Sequence, residues 1–251
     1  MSLPGRVSPP RCRPGRGFYS PMGNLIEDPA LRDRLHVFVD RTSAGQQLAA
    51  HLSGYRGQEI HLFAIPAGGV PVAAEIARAR LIPLDLIIVR KIQLPWTTEA
   101  GFGALDPAGQ AILNEDLLRR LPLSPKEIEG QIQKTAAVIQ QREERLRGGK
   151  PYARLNGQAA LVVDDGLASG YTMRAALQFL KTQGAGRLIV AVPTGSERTI
   201  WELLPLVDEL YCLNVRGGFS FAVADAYENW YDLTEGEVLE IMESLAKQDS
   251  I

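Results

Sequence analysis

The chain has 251 residues, 45% of them hydrophobic and 22% charged, which suits one large α/β domain with appendages and leaves ample chain to bury a core. A formal net charge of −2 gives no global attraction to nucleic acid or to an anionic membrane, and no apolar run approaches the roughly 20 residues that span a bilayer. The N-terminus has no short apolar signal core; Cys12 and Cys212 lie far apart outside any C-x-x-C pattern, and His36, His51 and His61 lack the spacing of zinc ligands, so a cytoplasmic protein with free thiols is expected.

Residues 1–30 read as a disordered Arg/Pro-rich tail, carrying Arg6, Arg11, Arg13 and Arg16 and no acidic residue before Glu27, and residues 31–251 as the folded domain. Prolines argue against the amphipathic helix of a transit peptide. Ala44, Leu48, Ala49 and Leu52 recur at helical spacing, and HLFAI then reads as a strand stopped by Pro66. PAGGVPVAAEIARARL is a glycine loop leading into an Ala-rich helix, and PLDLIIVRK a buried strand ending in two cations. Strand, loop, helix, strand is the unit of a parallel sheet.

A long surface helix is expected at about 124–147, with Ser124 as N-cap, Glu127 three residues on, and Gly148 and Gly149 as the stop. Its stripe of Ile128, Ile132, Thr135, Ile139 and Leu146 would lie across the sheet or against another subunit, which makes a homodimer an expectation. AALVVDD, GLASGY, a helix from Thr172, and RLIVAVP form a second strand-loop-helix-strand unit; ELYCLNV is a further strand, and a helix at about 235–247 closes the chain. The fold class is thus α/β with a parallel sheet and helices on both faces.

VVDDGLASGYT, Val162 to Thr172, carries the chemistry. Adjacent carboxylates repel and raise each other's pKa unless something positive or hydrogen-bond donating holds them. Asp164 and Asp165 stand at the carboxyl end of a parallel strand, where ligands gather. Gly166, Ala168, Ser169 and Gly170 let backbone N–H groups close on a ligand, and the helix opening at Thr172 favours an anion. A ribose 5-phosphate answers both halves, its phosphate in the loop and its hydroxyls on the carboxylates. A Mg²⁺ site on both aspartates and a helix cap with coincidental acids remain alternatives. Gly-Lys-Ser/Thr and G-x-G-x-x-G, the marks of other nucleotide loops, are absent.

VVDDGLASGYT resembles the ribose phosphate signature of the type I phosphoribosyltransferases. IPAGGVP is similar to their pyrophosphate loop, VRKIQLP to the strand and mobile loop that follow, and REERLRGGKPY to a stretch found in a poorly characterised bacterial branch, so the likeness spans about Phe38 to Leu233. The resemblance implies a parallel-sheet core with a variable hood, and Mg²⁺-dependent transfer of ribose 5-phosphate from phosphoribosyl pyrophosphate to a nitrogenous acceptor. It further implies ribose-binding, catalytic roles for Asp164 and Asp165, with Mg²⁺ held through the substrate and by these two acids. The 5-phosphate would lie on Gly166, Leu167, Ala168, Ser169, Gly170, Tyr171 and Thr172. Pyrophosphate would lie on Ala67, Gly68, Gly69, Arg90 and Lys91.

Two positions depart from that pattern. Ala67 stands where branch members carry an arginine, and Ala168 where enzymes of 6-oxopurines place an aspartate as general base, which disfavours hypoxanthine and guanine. For the acceptor hood, Phe219, Phe221, Tyr227, Trp230 and Tyr231 are aromatic candidates to stack on a flat base. A sensor that keeps the pocket without turnover is the alternative function. RNA binding through the Arg-rich tail is a third reading, which requires affinity that collapses with salt and with deletion of residues 1–24.

Overall fold

The computed structural model describes residues 23–55, 58–218 and 220–248. Six parallel strands form the main sheet in the order β1-β9-β8-β7-β2-β3: β1 (Asn24–Ile26), β2 (Ile60–Ala64), β3 (Leu84–Leu86), β7 (Ala159–Val163), β8 (Arg187–Ser196) and β9 (Glu209–Arg216). A second, antiparallel sheet is built from β4 (Arg90–Leu94), β5 (Thr97–Leu105) and β6 (Ala111–Leu113). The helices are α1 (Arg41–His51), α2 (Gly69–Arg80), α3 (Glu115–Leu118), α4 (Pro125–Arg147), α5 (Tyr171–Thr182), α6 (Glu197–Leu203) and α7 (Glu235–Gln248).

The main strands read as unbroken apolar runs because both faces of the sheet are covered. In β7, Leu161 and Val163 pack into one buried cluster with α1, α2 and α7, whereas Ala160 and Val162 pack into another with α5 and α6. Alternation of period two thus sends neighbouring residues into opposite layers. The α/β class with helices on both faces is the one the chain adopts.

The long helix begins and ends where its caps require. Ser124 and Glu127 form a reciprocal capping box, with the Ser124 N–H donating to Glu127 Oε2 at 2.8 Å, and Gly148 closes the helix in the left-handed region at φ 61°. The apolar stripe is used inside the chain: Ile139 and Leu146 are buried, Ile128 and Ile132 pack against the same core, and α4 lies on β4, β5 and α7. Much of the stripe that suggested a second subunit is thus packed against the chain itself, with Ile128 and Ile132 half-buried.

Three expectations are corrected. Residues 1–22 lie outside the described residues, but Asn24–Ile26, placed with the tail, is an edge strand in register with Glu209–Tyr211. PLDLIIVRK is two strands rather than one. The ladder with β2 ends after the Ile87 N–H bonds to Ala64 O, Val89 N–H turns back to Ile87 O, and Ile88 N–H bonds to the Tyr152 hydroxyl, so Arg90 and Lys91 open β4 instead of ending β3. The segment after Lys91, expected as a loop, is a hairpin. The strand after it, β5, then turns into β6 at the buried Asp106 carboxylate, which accepts from the N–H groups of Ala108 and Gln110 at 2.9 and 2.8 Å.

Candidate active site

From β2 the chain winds outward to β3 on one side, and from β7 outward through β8 to β9 on the other. The boundary between β2 and β7 is a topological switch point, where the loops beyond the strand ends diverge and leave a crevice. The two loops that leave this point are the glycine turn before α2 and the aspartate loop before α5. They touch: a Cβ on Gly68 would overlap the Asp165 carboxylate, and one on Gly69 would lie 2.6 Å from Val163 O and 2.9 Å from Asp164 Cα. Only glycine permits that approach.

Asp164 and Asp165 are half-buried. Asp164 Oδ1 accepts the Asp165 N–H at 2.9 Å, while Asp165 Oδ2 accepts Arg41 Nε at 2.9 Å. Burial and the neighbouring carboxylate push the Asp164 pKa well above the ordinary range; burial also raises that of Asp165, against the pull of Arg41. Arg41 itself is buried at 6% exposure. Its Nη1 donates to Tyr231 O at 2.8 Å, and its guanidinium sits 3.8 Å from the Trp230 ring centroid. Nothing local in the sequence marks this arginine beyond its place just after Asp40, the N-cap of α1.

The small loop is anchored so that its N–H groups stay open. Leu167 is buried and bridges to β8, its N–H donating to Thr194 O and its carbonyl accepting from Ser196 N–H, both at 2.9 Å. The Thr199 hydroxyl donates to Ala168 O, and Gly170 takes φ 73° at the start of α5, which no side chain caps. Among the described residues the N–H groups from Ala168 to Thr172 find no acceptor. That is an anion cradle in form.

On the other side of the crevice the Ala67 and Gly68 N–H groups likewise have no acceptor among the described residues. Gly69 differs from expectation: its N–H donates to Ile65 O at 3.0 Å, so its contribution is closeness to β7 and not a free donor. Arg90 and Lys91 line a cavity of about 310 Å³ together with Pro66, Asp164 and Thr172. The same cavity takes in Arg142 from α4, the first residue of REERLRGGKPY, to which the sequence assigned no role at the site.

The hood is mixed. Phe219 lies outside the described residues. Phe221 lies under the Arg216 guanidinium at 4.5 Å, while Trp230 and Tyr231 are exposed at 36% and 57%. Tyr227 is buried in the core, its hydroxyl donating to Asp165 O at 2.6 Å, and so is not open to stack on a ligand. One face of Trp230 is taken by Arg41. Among the described residues no three His, Cys, Asp or Glu side chains gather as metal ligands, and no helix is long and apolar enough to cross a membrane.

The sequence matches the family profile described as phosphoribosyl transferase domain over residues 41–200. Over 209 residues it is 35% identical to a Mycobacterium tuberculosis protein, found in strains CDC 1551 and H37Rv, whose name assigns it provisionally to the phosphoribosyl transferases. That alignment takes in 83% of this chain and 47% of the relative, so the chain spans about half the length of the curated relatives it matches. The crystal structure of TT1426 from Thermus thermophilus is similar at 33% identity with a TM-score of 0.66, over 83% of this chain and 98% of that one.

Proposed function

The chain belongs to the phosphoribosyl transferase domain family, and on that premise we propose that it transfers ribose 5-phosphate from phosphoribosyl pyrophosphate to a nitrogen nucleophile, in nucleotide metabolism or salvage. One observation carries the reading: at the switch point a glycine turn packs directly against an acid pair, and the uncapped N-terminus of α5 lines the same cavity. The 5-phosphate is received by Ala168–Thr172, whose free N–H groups are donors along with the Ser169 and Thr172 hydroxyls. The two ribose hydroxyls donate to Asp164 and Asp165. As the bond from the anomeric carbon to the pyrophosphate oxygen breaks, positive charge grows on the ring, and fixed carboxylates oppose it. The electron pair of that bond leaves with pyrophosphate, the nitrogen lone pair forms the new bond, and the nitrogen releases a proton. Pyrophosphate is met by the Ala67 and Gly68 N–H groups and by Arg90 and Lys91.

Magnesium belongs to the proposal as an ion carried in with the donor. Asp165 is already paired with Arg41, and a set of one or two carboxylates suits Mg²⁺ that keeps its phosphate and water ligands. When bound it would neutralise the leaving group.

The test is pyrophosphate release from phosphoribosyl pyrophosphate and Mg²⁺ over a panel of nitrogenous acceptors, wild type against Asp165→Asn. Nucleotide product from the wild type and none from the variant supports the reading; equal turnover overturns it. A sensor without turnover is the second reading, favoured by Ala67, which leaves the glycine turn without a cation. Donor binding with no product from any acceptor would select it.

A further inference from the structure

Arg142 enters the crevice from outside the parallel sheet. Eighteenth of the 23 residues of α4, it reaches the cavity that Asp164, Thr172, Arg90 and Lys91 line, and its side chain is only 12% exposed. A guanidinium has five N–H donors. Here Nε donates to Glu235 Oε1 at 2.9 Å, and among the described residues Arg142 makes no other hydrogen bond and Asp164 is the one carboxylate that lines the cavity, which leaves the Nη groups open to an anion. Glu235, in the first turn of α7, is shared: its Oε2 also faces Arg145 Nη1 at 3.1 Å. Burial lowers the Arg142 pKa most, and the nearby charge of Arg90 lowers it further against the pull of Glu235, so the two cations are close enough to repel. A multiply charged anion entering the cavity relieves that repulsion, and the planar fork of arginine matches phosphate oxygens in pairs.

We propose that Arg142 is a pyrophosphate-binding residue of this site and that Glu235 is its displaceable counter-ion. The inference rests on the phosphoribosyl reading, since it needs the pyrophosphate half of the donor to lie beside Asp164. It also gives α4 a functional role: a helix packed outside the main sheet carries one jaw of the clamp.

Breaking one ion pair from its two ends separates binding from scaffolding. Isothermal titration is done with Mg²⁺-pyrophosphate and, separately, with ribose 5-phosphate, on wild type, Arg142→Gln, Arg142→Lys and Glu235→Gln. Losing a charge-assisted contact should weaken pyrophosphate at least tenfold in Arg142→Gln, with ribose 5-phosphate within twofold of wild type. Arg142→Lys, which keeps charge without the fork, should fall between, and it serves as the test if Arg142→Gln does not fold. Glu235→Gln keeps an acceptor for Nε but removes the competing charge, so it should tighten pyrophosphate several-fold. Pyrophosphate affinity unchanged by both Arg142 substitutions, or weakened by Glu235→Gln as much as by Arg142→Gln, overturns the assignment. A wild-type protein that binds neither ligand overturns the phosphoribosyl reading as well.

Discussion

The Arg41 guanidinium donates from Nε to Asp165 Oδ2 across 2.9 Å, with side-chain exposures of 7% and 15%, joining the first residue of α1 to the strand end that carries the acid pair. Burial raises the pKa of that carboxylate, and the charge and hydrogen bond of Arg41 are the chief forces opposing the rise. Removing one partner of a buried pair strands the other, at a cost of about 3–5 kcal/mol. Arg41→Met should therefore lower stability by an amount in that range in urea unfolding. The same variant should also raise the pKa of Asp165, because burial would then lose its main opponent. A loss under about 1 kcal/mol would mean that solvent already screens the pair.

Asp164 is held differently, with a backbone N–H and no cation in contact. Its folded pKa lies above the unfolded value, so the folded state binds more protons and stability falls as pH rises from the unfolded aspartate value of about 3.9 through the folded one. Asp164→Asn has no proton to lose. Melting curves from pH 4 to pH 8 should show the variant more stable than wild type at pH 8, the difference vanishing toward pH 4, while donor binding is lost. A variant less stable at pH 8 would show that the carboxylate is stabilised where it stands.

What was legible in the sequence is what is local. VVDDGLASGYT spells strand, turn and helix in one stretch, because the β-branched run, the small residues and the helix opening each act within a few positions. Arg41 and Asp165 are 124 residues apart, and Arg142 and Glu235 are 93 apart, so no periodicity links them and only the packing of α1 and α4 brings them to the site. PLDLIIVRK shows a subtler limit: an apolar run reports burial, not pairing, and Ile87 to Val89 stay buried while the N–H groups of Ile88 and Val89 leave the ladder. The second turn of the antiparallel sheet, between β5 and β6, did carry a signal in Asp106-Pro107-Ala108-Gly109, whose aspartate and glycine suit a tight turn, with Gly109 at φ 80°.

The capping box of α4 is a local device, and its removal should be felt locally. Ser124→Ala takes away the Oγ that accepts the Glu127 N–H at 3.3 Å. The expected cost is about 1 kcal/mol, or a fall in Tm of about 2–4 °C for a chain of this size. Arg142 lies five turns further along the helix, so pyrophosphate affinity should be unchanged in the same titrations. Weakened binding would mean that fraying at the N-terminus propagates through α4.

Gly68 gives the sharpest separation of site from scaffold. Its φ of −60° and ψ of −35° are helical, so alanine meets no backbone penalty there; what it meets is Asp165, whose carboxylate occupies the space of the new Cβ. The carboxylate must swing away from Arg41, or the two loops must part. Overpacking of this kind costs about 1–3 kcal/mol, and it moves the group on which the proposed chemistry depends. Gly130 supplies the contrast, since it sits inside α4 and a Cβ added there would have nothing within 4 Å. Gly130→Ala should stabilise by about 0.5–1 kcal/mol, as glycine to alanine does in an open helix interior, and leave ligand binding alone. Chemical denaturation and phosphoribosyl pyrophosphate titration of the two variants should thus give opposite signs of stability change and only one loss of binding. If Gly68→Ala binds the donor as well as wild type does, the contact between the glycine turn and the acid pair is dispensable, and the switch-point geometry loses its claim to the site.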